Sequence, residues 1–275
     1  MGADERLRAI QTKVERAKKH VNDLESEVHA FLATNPYEVG AKRDPDTRKP
    51  LHYLVGVRDT PIEAATLAGD AIQNLRSALD HLVHHLIQVG TGRSGPFYHS
   101  EFPIFDSAAE YKAGKGRKVQ GASPEAVKAI DALKPYKGGN DTLWQLHKLN
   151  LVDKHRFLIT IGSAFRSVDL GGSGFRELIA SLPPDNPIRQ GLTEMLQAKP
   201  VHVFFSPADR TFPLKAGDIL FEGAPDEEPD EYLEFRFEVA FGEPHILEGE
   251  PLLETVHQMA ELVGNIVVTF KPLLA

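Results

Sequence analysis

Residues 74–86 read NLRSALDHLVHHL, and the spacing of the apolar positions decides how the chain is built. At roughly 100° per residue, Leu75, Ala78, Leu79, Leu82 and Leu86 fall on one arc, which Ala68 and Ala71 extend. A helix with so broad an apolar face belongs in a core. Asp70, Asn74, Ser77, His81, His84 and His85 form a stripe opposite, and after Glu63 this helix has no lysine or glutamate. Water-facing helix surfaces are usually filled with those long side chains. The stripe is therefore expected to be covered and hydrogen-bonded. Its commonest use is a satisfied structural network; the alternative is a cleft. Arg76 and Asp80, spaced i,i+4, are expected to pair on a third flank.

The neighbouring segments read outward from this helix. Thr60-Pro61 opens it, with Thr60 as the expected N-cap and Pro61 in the first helical position, and Gly90 ends it. Before it, Leu7, Ile10, Val14, Ala17, Val21, Leu24, Val28 and Phe31 repeat at threes and fours, predicting a helix from about residue 4 to 33 with one apolar seam. Tyr37 and Val39, the turn cluster RDPDTRKP, and the alternating Leu51, Tyr53, Val55 and Val57 predict a hairpin over 37–58. Residues 91–122 read as irregular, including EFPIF and the Gly/Lys run KAGKGRKVQG. Ser123-Pro124-Glu125 starts a short helix to about 133, and another spans 141 to about 155.

The later part is β-rich. Strands are expected at RFLITIG (156–162), VHVFF (201–205), GDILFEG (217–223) and EYLEFRFEVAF (231–241). In the last, Leu233, Phe235, Phe237, Val239 and Phe241 share a face. PDEEPDE (225–231) reads as a solvated loop. A closing helix from about 251 carries Leu252, Val256, Met259, Val263, Ile266 and Phe270 at helical period. Helices and strands are segregated rather than alternating, so the fold class expected is α+β: a helical bundle with an antiparallel sheet, residues 1–275 forming a single domain. The helical core falls at about 4–33, 61–89, 123–156 and 251–272, the β-rich parts at about 37–58 and 156–242.

The stretch LWQLHKLNLVDKHRFL (143–158) is the second constellation. Leu143, Trp144, Leu146, Leu149, Leu151 and Val152 surround the helix, as in a buried element. Yet it also bears His147, Lys148, Asn150, Asp153, Lys154, His155 and Arg156. His147, Asn150 and Lys154 share one face. So many polar groups on an apolar helix need partners or water. Two such faces, one on each helix, are expected to meet and form a single cleft.

Composition narrows the chemistry. The chain has 275 residues with 31 Lys plus Arg against 39 Asp plus Glu, a net charge of −8. That balance disfavours non-specific binding to nucleic acid or anionic membrane, leaving only local basic patches. With no cysteine, thiolate nucleophiles, disulfides and cysteine-held zinc are excluded. The start, MGADERLRAIQTK, has no apolar signal core and no apolar run reaches spanning length. A cytoplasmic protein with no membrane partner is the expectation.

Histidine moves protons near neutral pH, and arginine holds phosphate in a forked grip. Arg76, His81 and His155 therefore suit catalysis on phosphate esters. Asn74, Asp80, His147, Asn150, Lys154 and Arg156 would bind substrate in the same cleft. Lys112, Lys115, Arg117 and Lys118 of KAGKGRKVQG could touch a phosphate backbone, although a solvated loop is the commoner use; the run lacks P-loop spacing. The rival chemistry is a divalent metal held by His81 and His85 with Asp153 and His155, and with Asp70 or His147 nearby. No HExxH-type signature supports it, and no cofactor is otherwise implied.

The segment Arg76-Ser77-Ala78-Leu79-Asp80-His81 resembles the R-x4-6-H motif of the HEPN superfamily, helical-bundle proteins that include many metal-independent ribonucleases. The resemblance covers about fifteen residues. It implies that His81 acts on the RNA 2′-hydroxyl or leaving oxygen and that Arg76 holds the scissile phosphate. It also implies a homo-oligomer with the site between protomers. Ser77 departs from the longer polar residue usual after the arginine, and the β-rich segment is not part of a simple HEPN bundle. NLRSALDH, FPIF and LHKLNLVDKHR together resemble a group of bacterial proteins, a likeness that implies no activity. The leading expectation is thus a HEPN-like metal-independent ribonuclease or RNA-binding protein. The alternatives are a small-molecule or metal-dependent hydrolase using the same cleft, and a non-catalytic binding or assembly protein.

Overall fold

The computed structural model describes residues 2–156, 158–169, 179, 182–183, 186, 188–191, 193, 204–205, 212–225 and 233–275, without the side chains of 155, 156, 204 and 205. Along these residues run α1 (Ala3–Ala33), β1 (Tyr37–Arg43), β2 (Pro50–Val57), α2 (Ile62–Thr91), α3 (Ala108–Lys118), α4 (Pro124–Ala132) and α5 (Asp141–Arg156). They continue with β3 (Ile161–Asp169), β4 (Phe204–Phe205), β5 (Ile219–Glu222), β6 (Glu234–Glu243), β7 (Leu247–Pro251) and α6 (Leu252–Thr269), before a 3-10 turn at Lys271–Leu274. The class is α+β, helices with two small antiparallel sheets. Among the described residues no helix is long and apolar enough to cross a membrane.

The chain divides into two compact units, each assembled from separated segments. The first comprises residues 1–29, 61–161 and 241–275, the second 30–60 and 162–240. The first unit is helical. The apolar seam of α1 is buried from Leu7 to Val28, as its spacing predicts. The α2 arc is fully buried at Ala68, Ala71, Leu75, Ala78, Leu79 and Leu82, and α6 buries Val256, Met259, Val263 and Ile266. The chain ends meet: Arg6 donates to the carbonyl of Leu274 at 2.8 Å, and Lys271 lies 3.0 Å from Asp4. Ser123 caps α4 by accepting from the amide of Ala126.

The second unit holds a core of Leu54, Phe165, Val168, Leu214 and Leu220, with Tyr37, Val39, Phe235 and Phe237 packed on it. Over the whole chain the strand orders are β1-β2-β5 and β4-β3-β6-β7, with β1 to β5 falling almost wholly within the second unit and β7 within the first. Tyr37 stacks on Phe237 with centroids 4.1 Å apart and donates its hydroxyl hydrogen bond to Ser163 at 2.9 Å.

Several local expectations are corrected. The α2 helix starts at Ile62, because Pro61 keeps an extended ψ of 137° and is itself the capping residue in place of Thr60. It runs past Gly90 to Thr91, and Gly92, at φ 65°, supplies the left-handed cap. Residues 108–118 are helical, with Ser107 accepting from the Glu110 amide, so KAGKGRK is not an irregular loop. Lys115, Arg117 and Lys118 in its last turn complement the helix dipole. The strand expected at RFLITIG (156–162) is met only at its end: α5 extends to Arg156, and β3 begins at Ile161. Strand β7 at LEGEP was not anticipated. In β2 the inward residue is Leu54, fully buried, while Val55 is 45% exposed. The register against β5 shifts between His52 and Tyr53, and the expected alternation fails over 53–55, whereas Leu51 is buried and Val57 packs on the core. Of VHVFF, residues 204–205 form β4, and 201–203 lie outside the described residues, as do 226–231 of the acidic loop.

The end of α2 is fixed by a close backbone approach. A Cβ on Gly90 would collide with the carbonyl oxygen of Gly121 and stand 3.0 Å from the amide nitrogen of Ser123. Gly116 in α3 has nothing within 4 Å of such a Cβ. Alanine favours a helix over glycine by about 1 kcal/mol, so Gly116→Ala should raise the melting temperature. Gly90→Ala should lower it, because backbone cannot rotate away and overpacking costs about 1–3 kcal/mol. Thermal denaturation of the two variants checks the contrast.

Candidate functional site

Arg76 anchors the polar interior of the first unit. It is 2% exposed. Its Nη2 donates to the carbonyl of Phe102 at 2.9 Å and lies 2.9 Å from Asp80 Oδ1 and 3.5 Å from Glu101 Oε2. Asp80 Oδ1 in turn accepts from the amide of Phe102 at 2.8 Å. The i,i+4 pair expected from the sequence thus grips both backbone polar groups of one residue, its N–H and its C=O. The grip sets Phe102 and Ile104 of EFPIF into the core, each essentially unexposed.

The same segment is tethered further along. Lys118 of α3 lies 2.8 Å from Glu101 and 4.5 Å from the ring centre of Phe105. Trp144 of α5 donates its indole N–H to Asp106 at 2.7 Å, and Lys148 donates to the other carboxylate oxygen at 2.8 Å. Those two bonds hold the Asp106 carboxyl below its ordinary range. For Glu101, burial raises the pKa, but the hydrogen bond and charge of Lys118 and the charge of Arg76 outweigh it and the net shift is downward. Asp80 moves the other way: burial raises it more than Arg76 and the Phe102 amide lower it.

The two polar helices do meet. Where Gly69 of α2 lacks a side chain, the carboxylate of Asp153 on α5 fills the space. Burial, then the charge of Asp70, raises the Asp153 carboxyl. Farther along, burial and the charges of Arg76 and Lys118 push His147 down to about 3. This imidazole is neutral at physiological pH, which suits a packed neighbour of Arg76 and not a general acid. Asn150, one turn on, is 2% exposed. Lys154 is exposed.

The stripe expected to be covered is only partly so. His81 is exposed, Asp70, Asn74, Ser77 and His84 are half-buried, and His85 alone is buried. Asn74 spends its amide on the carbonyl of Asp70 at 2.8 Å, a bond inside its own helix. Arg76 and His81 face different surroundings. His81 sits near Lys13 and His85; partial burial, then these two neighbours, lowers its pKa. Arg76 is closed in by Asp80, Glu101 and the Phe102 carbonyl. The side chains of His155 and Arg156 lie outside the described residues. Among the described residues no group of three or more His, Asp or Glu is arranged to hold a metal, and Asp153 lies against Gly69 rather than His81 and His85.

The sequence reading passed over a second place, where the end of α2, the turn 93–100 and the end of α3 converge. A pocket of about 430 Å³ is lined there by Arg93, Phe97, Tyr98, Ser100, Arg117 and Lys118, among others. Arg117 donates to Nδ1 of His99 at 3.2 Å. The ring of His84 lies 5.1 Å from that of Phe97. Tyr98 is 82% exposed. Among the described residues neither Arg93 nor Arg117 has a carboxylate partner. The signal in the sequence was RSGPFYHS, a Gly-Pro turn carrying cation, aromatic and imidazole together. It went unread because α3 was not expected to bring Arg117 and Lys118 beside it.

Two measurements test the Arg76 cluster. Arg76→Met should cost about 2–3 kcal/mol of unfolding free energy: it removes the donor to the Phe102 carbonyl and the cation facing Asp80 and Glu101, whose water contact softens the loss, while the Phe102 amide keeps its bond to Asp80. For His147, a folded pKa of about 3 lies below the ordinary 6.5. The unfolded chain therefore takes up a proton that the folded one refuses. This contribution is complete above about pH 6.5 and is lost as pH falls toward the folded value. Urea denaturation should show stability falling from neutral pH toward about pH 4, less steeply in His147→Gln. No family model, no curated protein and no solved structure matches the chain.

Proposed function

We propose that the chain is an RNA-binding protein that holds phosphate at the pocket of Arg93, Arg117 and Lys118. The observation that carries this reading is the pair of guanidiniums without carboxylate partners among the described residues, both lining one pocket with Phe97 and Tyr98. Guanidinium forks match phosphate oxygens, and aromatic faces accept bases of any sequence. On a chain of net charge −8, such a cluster is the local exception that recognition of a polyanion needs.

The binding half of the expectation is the half that the geometry supports. Cleavage through Arg76 and His81 requires both on one phosphate. Within one chain, Arg76 is spent on Asp80, Glu101 and Phe102 while His81 stands exposed on another side of the helix. His84 and His99 are the imidazoles near the pocket.

Fluorescence anisotropy with a labelled single-stranded RNA tests the reading. Binding should weaken as salt rises, and Arg93→Glu and Arg117→Glu should each cost about tenfold or more in affinity. Both side chains are exposed, so the folded state should persist. Affinity unchanged in both variants, or no binding at low salt, overturns the proposal.

A further inference from the structure

The pocket's charge and size say more about its ligand than that it carries phosphate. We infer that it takes a nucleotide bearing a terminal phosphate, as a free nucleotide or as the end of a single strand. This rests on the proposed phosphate binding at the same pocket, and it names the ligand class.

The charge count is the first argument. Lys118 is already paired with Glu101 at 2.8 Å, so its charge is largely answered. Arg93 and Arg117 have no such partner among the described residues, leaving two positive charges at one pocket. A phosphate monoester carries about −1.5 to −2 near neutral pH. A diester within a strand carries a single charge and meets only half of that demand. A terminal phosphate brings both charges on one group, where a strand must lay two successive diesters along the pocket to do the same.

Size and surroundings agree. About 430 Å³ lies within the roughly 300–1,000 Å³ of small-molecule sites, the size range of one nucleotide. The chain's net charge of −8 works against an extended polyanion lying across the surface. Tyr98, 82% exposed at the pocket, offers a ring face on which a base can stack. Arg117 is steadied by its bond to His99 Nδ1, which accepts and leaves the remaining guanidinium N–H groups for oxygen.

Binding of one short RNA sequence is measured with a 5′-phosphate, a 3′-phosphate, neither, and as a duplex, beside adenosine 5′-monophosphate and adenosine. The phosphorylated strand should bind about tenfold or more tightly than the unphosphorylated one, as one lost charge-assisted bond would give. Adenosine 5′-monophosphate should compete where adenosine does not, and Tyr98→Ala should weaken it toward inorganic phosphate. If all single strands bind equally and still depend on Arg93, this inference falls while the proposed RNA binding stands. If the monophosphate binds through Arg93 and no RNA does, the ligand is a free nucleotide and the RNA reading falls. If nothing binds, or binding ignores Arg93→Glu and Arg117→Glu, both fall.

Discussion

A single guanidinium, buried between α2 and the segment 101–106, ties the helical unit to its own connecting chain. Arg76 has given up water almost completely, a costly change that its partners offset at Nη2, while its buried Nη1 has no hydrogen-bond partner among the described residues. Asp80 supplies charge from the next turn of the same helix, Glu101 adds more from the adjoining segment, and the Phe102 carbonyl takes a hydrogen bond. Because Asp80 also accepts from the Phe102 amide, one residue of an irregular stretch is held as firmly as a strand residue in a ladder. The aromatic ring of Phe102 then goes into the core. Ionic and apolar burial reinforce each other here, since neither group reaches its place without the other.

The cluster is wired into the surroundings through Glu101. That carboxylate faces Arg76 on one side and Lys118 on the other, and Lys118 also lines the pocket of Arg93 and Arg117. An anion arriving at the pocket would meet a lysine already engaged and two arginines that are not. The difference sets the pocket's free charge and ties its shape to the rigid interior behind it. The backbone approach of Gly90 to Gly121 fixes the same region from beneath, because no side chain can stand between the end of α2 and the chain that follows α3.

The fold was legible wherever burial is periodic. The α1 seam, the α2 arc and the α6 stripe follow from spacing, because one helix face meeting a core must repeat every three or four residues. The Arg76–Asp80 pair was legible too, being local. Less visible was α3, whose glycines and lysines have no apolar stripe and whose helicity comes from the Ser107 cap and its contacts. The β2 face was misjudged because a register shift leaves no mark in a pattern of alternating residues. The polar stripe of α2 was expected to be covered throughout, but His81 is exposed, an outcome set by packing between elements rather than by spacing along the helix.

Sequence by itself determined which residues turn inward along each long helix and which two of them form an ion pair, since both depend on neighbours at most four positions away. Only the tertiary structure decided that Arg76 is enclosed while His81 is not, and that Arg93, Tyr98 and Arg117 share a pocket. Those are relations between residues far apart along the chain or on different sides of one helix. They are settled by which side chains pack against each other in space, a quantity no local spacing contains.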